Sequence, residues 1–342
     1  RSRPWGVSSA PRAASTAAGA RARARATHRA LAAALALAAA LTCGCSSSAP
    51  GRSLDVGQPR ELRAPASSRV IELVMENAER DEVVGSRAAP YANSLIARYG
   101  LAERSYAITH PSLPNYLALV SGSTHGIESD CTDCHVHAQN LVDQLESARI
   151  SWKAYLEDVP APCFSGAGAG GYAKKHNPFI YFDDIARARA RCAKLVGFGA
   201  LARDLRRGRL PSFVWITPNL CDDGHDCGVS SADRFLARTA PLLLRELGPH
   251  GFLIVTWDEG SSDRGCCAGA ASGGAIATIV AGPDVRRGAR LQAPVDHYGV
   301  LGTIEQALGL PPLAGAASPG SGRLDALFAS PPRILGSARL AP

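Results

Sequence analysis

The segment from Thr109 to Gly122 carries residue types that could do chemistry at close spacing. It reads Thr-His-Pro-Ser-Leu-Pro-Asn-Tyr-Leu-Ala-Leu-Val-Ser-Gly, with Ser112 two residues before Pro114. Serine is preferred just before a helix, and proline is tolerated in the first helical turn. We therefore expect Ser112 at a helix N-terminus, where free backbone N–H groups can bind a phosphate. An ordinary serine cap on a buried helix is the alternative that this segment alone leaves open.

Polar side chains also follow other apolar runs of strand type. Glu76-Asn77, Asn219 to Asp226 and Asp258-Glu259 come just after the runs that end at Met75, Thr217 and Trp257, and a short strand at Tyr106–Ile108 is expected to lead to Ser112. Ligands bind at the carboxyl ends of parallel strands. Carboxylates, an amide, a hydroxyl and the histidine His110 are thus expected at four strand ends. Together they predict a metal and substrate site, although each strand end alone could be a turn or a cap.

A divalent metal at these strand ends would lower the pKa of the Ser112 hydroxyl and neutralise charge on a phosphoryl oxygen. The side chains of Glu76, Asn77, Asp258 and Glu259 suit hard cations such as Mg, Ca or Mn, whereas His225 admits Zn or Fe. The N–H groups after Ser112 and the side chain of Asn115 could hold the equatorial oxygens of the transition state.

Further polar groups could bind the substrate. Lys174, Lys175 and His176 stand together before an aromatic pair. Two lysines in a loop are commonly just solvated, but beside a phosphate site Lys175 could bind the phosphate and His176 could transfer a proton. His297 precedes the last predicted helix, and it could be a ligand, an acid or a helix cap.

The remaining pattern predicts the fold. Short apolar runs alternate with helical patterns such as Pro90–Tyr99, Phe198–Arg207 and Ala232–Leu247. This alternation predicts an α/β fold with a mostly parallel central sheet and helices on both faces. We expect a signal or lipoprotein leader at 1–45, a flexible tether at 46–68, one domain at 69–315 and a loose tail at 316–342.

The distribution of charge along the chain argues against nucleic acid as a partner. Residues 1–44 hold seven of the 37 basic residues and no acid, so the remainder has 30 basic and 30 acidic residues. The basic balance belongs to the leader, and nothing indicates nucleic-acid binding, which needs a basic patch on the folded domain.

The cysteines point to an oxidising compartment. The apolar run 30–41 is too short to span a bilayer and is followed by Cys43 and Cys45. This is typical of a secretory signal, and Cys45 is the expected lipidation site, with an ordinary cleaved signal as the alternative. The other eight cysteines suggest disulfides. Cys221 with Cys227 is the most economical local pair, and Cys131 with Cys134 could instead be a redox or zinc pair.

The motifs resemble a known family. Ser112-Leu-Pro-Asn115-Tyr with His125-Gly-Ile resembles a stretch of the nucleotide pyrophosphatases of the alkaline phosphatase superfamily, and Val255-Thr-Trp-Asp258-Glu259-Gly is similar to that superfamily's strand ending in Asp-His-Gly. Met75-Glu76-Asn77 is similar to the start of the bacterial phosphoesterase family of acid phosphatases and phospholipases C. The secreted acid phosphatase / phosphatidylinositol-3-phosphatase branch is the most similar, on the segments 109–122, 129–131, 175–179, 216–227 and 295–298.

The resemblance covers about residues 69–310 and implies an alkaline-phosphatase-like domain. It also implies that Ser112 forms a phosphoserine and that a metal is held by Glu76, Asn77, Ser112, Asp258 and Glu259. The Asp-x-x-x-His and Asp-His of the pyrophosphatases are replaced here by Asn219…Asp222-Asp223-Gly-His225 and by Asp258-Glu259. This loss of nitrogen ligands favours one metal, or one strongly and one weakly bound metal, over a full two-zinc site. Gly224 stands where the family has a bulkier residue.

These observations predict an exported, lipid-anchored, metal-dependent phosphomonoesterase of the cell envelope or the secreted fraction. Ser112 would attack phosphorus, with protons supplied by His225, His176 or His297. Its partners would be small-molecule or lipid phosphate esters, including phosphoinositides, and a membrane reached through the anchor. A phospholipase C-type phosphodiesterase is the enzyme alternative, and a lipoprotein that binds such ligands without turnover is the non-enzyme alternative.

Overall fold

The structure is a computed structural model that describes residues 67–334. The expected leader, Cys45, most of the tether and residues 335–342 lie outside the described residues. The strands are β1 (Val70–Met75), β2 (Gly100–Tyr106), β3 (Trp152–Leu156), β4 (Gly168–Ala169), β5 (Tyr172–Ala173), β6 (Leu195–Val196), β7 (Phe213–Thr217), β8 (Phe252–Trp257), β9 (Ala275–Ala281), β10 (Arg290–Leu291) and β11 (Val295–Asp296). The helices are α1 (Arg80–Val83), α2 (Pro90–Arg98), α3 (Ser112–Ser121), α4 (Leu141–Ser147), α5 (Asp183–Ala186), α6 (Arg189–Cys192), α7 (Phe198–Arg207), α8 (Val229–Leu244) and α9 (His297–Leu308).

A nine-stranded sheet forms the centre, in the order β10-β2-β9-β8-β1-β7-β3-β6, with β11 also paired to β2. All neighbours are parallel except β9, which runs antiparallel to both β2 and β8. After β1 the chain places β2 on one side of this strand and β3 on the other, and the later strands β7 and β8 pair directly with β1. A crevice at the carboxyl ends of the strands follows from that arrangement.

The side chains of β1 alternate between two hydrophobic cores, one on each face of the sheet. Val70 and Val74 face a core shared with α3, α4 and α9, while Ile71, Leu73 and Met75 face a core shared with α2, α7 and α8. Helices on both faces bury all six residues of this strand, as expected for a central parallel strand. The predicted fold class is confirmed. Within residues 67–334, no helix is both long and apolar enough to cross a membrane.

Two expectations about the chain differ from the structure. The strand before Ser112 is Gly100–Tyr106 rather than Tyr106–Ile108, and residues 107–111 form the loop that leads into α3. The polar residues Glu103 and Arg104 hide this strand in the sequence, because β2 has no continuous apolar run.

Residues 316–334 were expected to belong to a loose tail, but they pack on the sheet. Leu324, Leu327 and Phe328 are at most 2% exposed, and Val285 bridges to Phe328. Prolines and glycines break regular structure here, so the segment packs through three short 3-10 helices, at Ala314–Ala317, Pro319–Ser321 and Asp325–Leu327. The segment therefore extends the core past residue 315.

The eight described cysteines form four disulfides. The pairs are Cys131–Cys134, Cys163–Cys192, Cys221–Cys227 and Cys266–Cys267. The expected local pair Cys221–Cys227 is present. Cys131 and Cys134, for which a redox or zinc role stood as the alternative, are joined to each other. Such bonds suit an oxidising compartment.

Candidate active site

Ser112 is the first residue of α3, and several charged groups converge on its hydroxyl. The Oγ donates to Glu259 Oε1 at 3.0 Å and lies 3.3 Å from Glu76 Oε2. The Lys175 ammonium donates to the same Oγ at 3.3 Å. Two carboxylates that can accept the proton and one cation that can stabilise the oxyanion therefore meet at a single hydroxyl.

The loop before α3 is held in place by Asn115. This side chain is fully buried, and its Oδ1 accepts from the N–H groups of Ile108 at 2.9 Å and Thr109 at 3.1 Å. Its Nδ2 donates to the carbonyls of Thr109 at 2.7 Å and Pro111 at 3.2 Å. Both N–H groups of the Asn115 amide are hydrogen-bonded to backbone carbonyls, so Asn115 holds the loop that leads to Ser112. This role differs from the expected one, in which Asn115 binds a phosphoryl oxygen.

A buried cluster of acids lies beneath the hydroxyl. Glu76 follows β1, Asp223 follows β7 and Asp258 follows β8, and each is at most 1% exposed. Burial, together with the charges of Asp258 and Asp223, raises the pKa of Glu76 well above its usual value. Burial also raises the pKa of Asp223 and of Asp258 to about 8. Three buried carboxyl groups this close together require protons or a cation.

His176 lies inside this cluster, stacked on the ring of Tyr116 at 5.3 Å. Its Nε2 is 3.1 Å from Glu76 Oε1 and its Nδ1 is 3.2 Å from Asp223 Oδ2. Burial, followed by the charge of Lys175, lowers the pKa of His176 well below its usual value. A neutral imidazole has one N–H, so at least one of its nitrogens faces a carboxylate with a lone pair.

These residues fit a metal ion. Within residues 67–334, donor atoms of Glu76, His176 and Asp223 lie within 4.8 Å of one another. His176 Nε2, Asp223 Oδ2 and Asp258 Oδ2 are buried and form no hydrogen bond, because the close contacts of the first two, with Glu76 Oε1 and His176 Nδ1, are not aligned for one. Buried polar atoms without partners are costly, and a divalent cation would satisfy them. Carboxylates with one imidazole suit Mn, Fe or Zn better than a purely oxygen-ligated ion such as Ca.

The expected metal ligands are partly brought together. Glu76, Ser112 and Glu259 meet as described, and Asp258 lies beside them through its Oδ1, which accepts from the Asn77 N–H at 3.0 Å. The Asn77 side chain itself is exposed.

Sequence reasoning gave Asp223 no ligand role, although it follows a strand end at the same edge of the sheet. It also passed over Tyr116, whose hydroxyl donates to Glu76 Oε1. The signal for Tyr116 is its position four residues after Ser112, on the same face of α3.

The remaining predicted histidines lie around the site in different environments. His110 pairs through Nδ1 with Glu259 Oε2 and through Nε2 with the Ser262 carbonyl at 3.2 Å. Burial opposes its charge, but the pairing with Glu259 prevails and raises its pKa. His225 Nε2 is 3.3 Å from the Lys175 ammonium, and this ring is partly exposed. Gly224 has φ of 106°, a conformation that favours glycine, and it lets Asp223 turn inward while His225 stays at the surface.

His297 is fully buried at the start of α9, and its Nε2 donates to the Asp258 carbonyl at 2.6 Å. Burial lowers its pKa to about 4, so it is neutral and holds the backbone of Asp258. The two lysines also separate. The Lys174 ammonium donates to the Thr132 carbonyl at 2.6 Å, whereas Lys175 faces Ser112. Burial opposes the charge on Lys175, but Glu76 and Asp130 outweigh it and raise its pKa.

Comparisons with known proteins agree with this geometry. A family model described as "Phosphoesterase family" matches residues 73–311. The chain is 33% identical over 249 residues to a phosphatidylinositol-3-phosphatase of Mycobacterium tuberculosis, covering 72% of this chain and 79% of that protein. It is 30% identical over 266 residues to a probable acid phosphatase of Kluyveromyces lactis, covering 74% of this chain and 61% of that protein, so it spans less than two thirds of the yeast relative.

A solved structure shares the fold. It is a protein in the alkaline phosphatase superfamily from Vibrio parahaemolyticus, with a TM-score of 0.51 and 11% identity, covering 75% of this chain and 69% of that chain. The sequence and structure matches together confirm the resemblance that the motifs indicated.

Proposed function

The chain belongs to the Phosphoesterase family, and on that premise we propose that it is a metal-dependent phosphomonoesterase with Ser112 as its nucleophile. Family membership confirms the prediction of a hydrolase acting on phosphoric ester bonds. The names of both relatives, a phosphatidylinositol-3-phosphatase and an acid phosphatase, support monoester substrates, with phosphoinositides among the candidates. The observation that carries the proposal is the Ser112 hydroxyl between two carboxylates and the Lys175 ammonium, above a buried acid cluster.

The first step is attack of the Ser112 oxygen on phosphorus. Glu259 Oε1 at 3.0 Å is the acceptor best placed for the serine proton, and Lys175 stabilises the negative charge on the oxygen. The N–H groups at the start of α3 bind phosphoryl oxygens. We assign the proton for the leaving oxygen to His225, which is partly exposed; before substrate binds, its Nε2 accepts from the Lys175 ammonium. Water then hydrolyses the phosphoserine and releases phosphate.

A divalent metal would be held by Glu76, Asp223 and the neutral His176, with Asp258, Glu259 and Ser112 Oγ as further donors. When bound, it supplies Lewis-acid stabilisation of the phosphoryl charge and lowers the pKa of the hydroxyl. His176 is therefore better suited to a ligand role than to proton transfer, because both of its nitrogens face carboxylates.

Export and lipid anchoring through Cys45 remain part of the proposal. Four disulfides in the described residues and the leader pattern support export. Mass spectrometry of the processed protein would identify whether Cys45 carries a lipid.

The test is phosphate release by the full chain from an aryl phosphate monoester and an aryl phosphodiester, with and without chelator. Ser112→Ala should lower kcat by on the order of 10³-fold or more, because the attacking atom is lost. Ser94→Ala, an exposed serine on α2, is the control and should match the wild type. Diester turnover without monoester turnover would favour the phospholipase C alternative. Ligand binding without any turnover would favour a non-catalytic lipoprotein.

A further inference from the structure

Asp130 joins the two groups that an incoming phosphate needs. Its Oδ1 accepts from the Leu113 N–H at 2.9 Å, in the first turn of α3. Its Oδ2 accepts from the Lys175 ammonium at 3.0 Å, and that ammonium is itself 3.3 Å from Ser112 Oγ. One carboxylate thus takes the backbone donor and the cation beside the nucleophile, as two oxygens of a phosphoryl group would.

The backbone around Asp130 is firmly held. Cys131 and Cys134 close a short disulfide loop, Tyr181 donates to the Cys131 carbonyl at 3.0 Å, and Lys174 donates to the Thr132 carbonyl. The Asp130 side chain is nevertheless 30% exposed. Its carboxylate can therefore rotate into water without movement of the loop.

Ser112 is covered in this arrangement. Its relative exposure is 0%, and the side chains of Lys175 and Asp130 lie between it and solvent at 18% and 30% exposure. Lys175 has contacts besides Asp130, because its ammonium also donates to Ser112 Oγ and to His225 Nε2, each at 3.3 Å. Removing Asp130 would therefore open the phosphoryl position and leave the cation beside it.

We propose that the Asp130 carboxylate is a resident anion in the phosphoryl-binding position and that substrate phosphate displaces it. The proposal rests on the proposed function and adds a residue that sets substrate affinity. Phosphate then gains the Leu113 N–H and Lys175 only after Asp130 has released them. The apparent affinity is lowered by the fraction of molecules in which the carboxylate has moved away.

The experiment measures the Kd of inorganic phosphate by calorimetry for the full chain. Asp130→Asn keeps an acceptor for Leu113 but loses the charge that pairs with Lys175, and Asp130→Ala loses both contacts. We expect the Kd for phosphate to fall about 3-fold or more in Asp130→Asn, which frees Lys175, and about 10-fold in Asp130→Ala, which frees both Lys175 and the Leu113 N–H. Asp133→Asn, in the same loop and exposed, should match the wild type.

The direction in which the Kd for phosphate changes shows whether phosphate displaces Asp130 or Asp130 holds Lys175 in place. Weaker or unchanged phosphate binding in both Asp130 variants, with the same circular dichroism spectrum as the wild type, would overturn the proposal and make Asp130 a support for Lys175. Binding that tightens equally in Asp133→Asn would also overturn it, because the effect would then be general electrostatics. A wild type that binds phosphate but releases none from any ester would refute the proposed function alone.

Discussion

At the scale of single residues, the site depends on neutral groups held among acids. His176 is uncharged and placed between Glu76 and Asp223, and the Tyr116 hydroxyl donates to Glu76. Burial is the first cause of every shifted pKa in this group. Water is excluded here, so charges on a metal or a phosphoryl group interact more strongly than they would at the surface.

Tyr116→Phe tests whether the hydrogen bond from Tyr116 to Glu76 supports metal binding. The ring keeps its stacking on His176, but Glu76 loses its hydroxyl donor. We expect metal affinity to fall about 10-fold, because partners of ligating residues typically contribute that much. Titration of the metal-free protein with Mn²⁺ measures the change. Tyr155→Phe, whose hydroxyl contacts Asp204 at the other face of the sheet, should leave Mn²⁺ affinity unchanged; an equal loss in both variants would contradict the prediction.

The strand-end rule predicted much of this site from the sequence. Glu76, Ser112, Asp258 and Glu259 follow strands, and the parallel topology brings such positions to one edge. Asp130 could not be found in this way, since it lies just before the Cys131–Cys134 disulfide and follows no strand directly. The bracing role of Asn115 was equally hidden, because it depends on how the backbone of residues 107–111 folds back.

At the scale of elements, the long helices lie where the apolar periodicity predicts them, to within three residues. Phe198–Arg207 has the predicted bounds and β8 ends at the predicted Trp257, whereas the predicted helix Ala232–Leu247 is Val229–Leu244, which begins and ends three residues earlier. The segment after residue 315 was missed because its buried residues are separated by prolines and glycines. Its packing comes from tertiary contacts, which periodicity does not report.

Phe328→Ala measures what the C-terminal segment contributes. The ring is 2% exposed and meets Phe252 edge-to-face at 5.1 Å. Truncation of a buried aromatic typically costs about 3–5 kcal/mol, and we expect a loss of that size in the free energy of unfolding. Urea denaturation provides the measurement, and Ser330→Ala, exposed in the same segment, is the reference. A loss below about 1 kcal/mol would mean that the segment is a loose tail after all.

At the scale of the whole molecule, buried acids link stability to pH. Burial raises the pKa of Glu157 and of Glu305 to about 8, as it does for Asp223 and Asp258, and it raises that of Glu72 well above normal. At these acids the folded chain therefore holds more protons than the unfolded chain between about pH 4 and pH 8, whereas burial lowers the pKa of His176 and of His297, which oppose this effect at acidic pH. The contribution of the acids to stability without metal should fall as the pH rises through this window, and a bound cation should offset the part that comes from the active site.

Glu305→Gln isolates one such group far from the catalytic residues. Glu305 is fully buried on α9, its Oε1 accepts from the Leu313 N–H at 2.9 Å, and its Oε2 has no partner. Glutamine keeps the acceptor and cannot ionise. Below its unfolded pKa, a carboxyl group whose pKa is raised by folding is protonated in both states and does not lower the free energy of unfolding. As the pH rises toward its folded pKa of about 8, it lowers that free energy increasingly. The variant should therefore equal the wild type near pH 4 and exceed it by on the order of 2 kcal/mol near pH 7.

Urea unfolding of both proteins across this pH range, with chelator present, gives the difference directly. Glu128→Gln, which neutralises an exposed glutamate, is the matched control. It removes an acid that solvent reaches in the folded chain as well as in the unfolded chain, so it should show no comparable pH-dependent change. A constant offset between Glu305→Gln and the wild type at every pH would mean that the substitution acts through packing. A difference that grows as the pH rises would instead attribute the loss to ionisation of the buried carboxyl group.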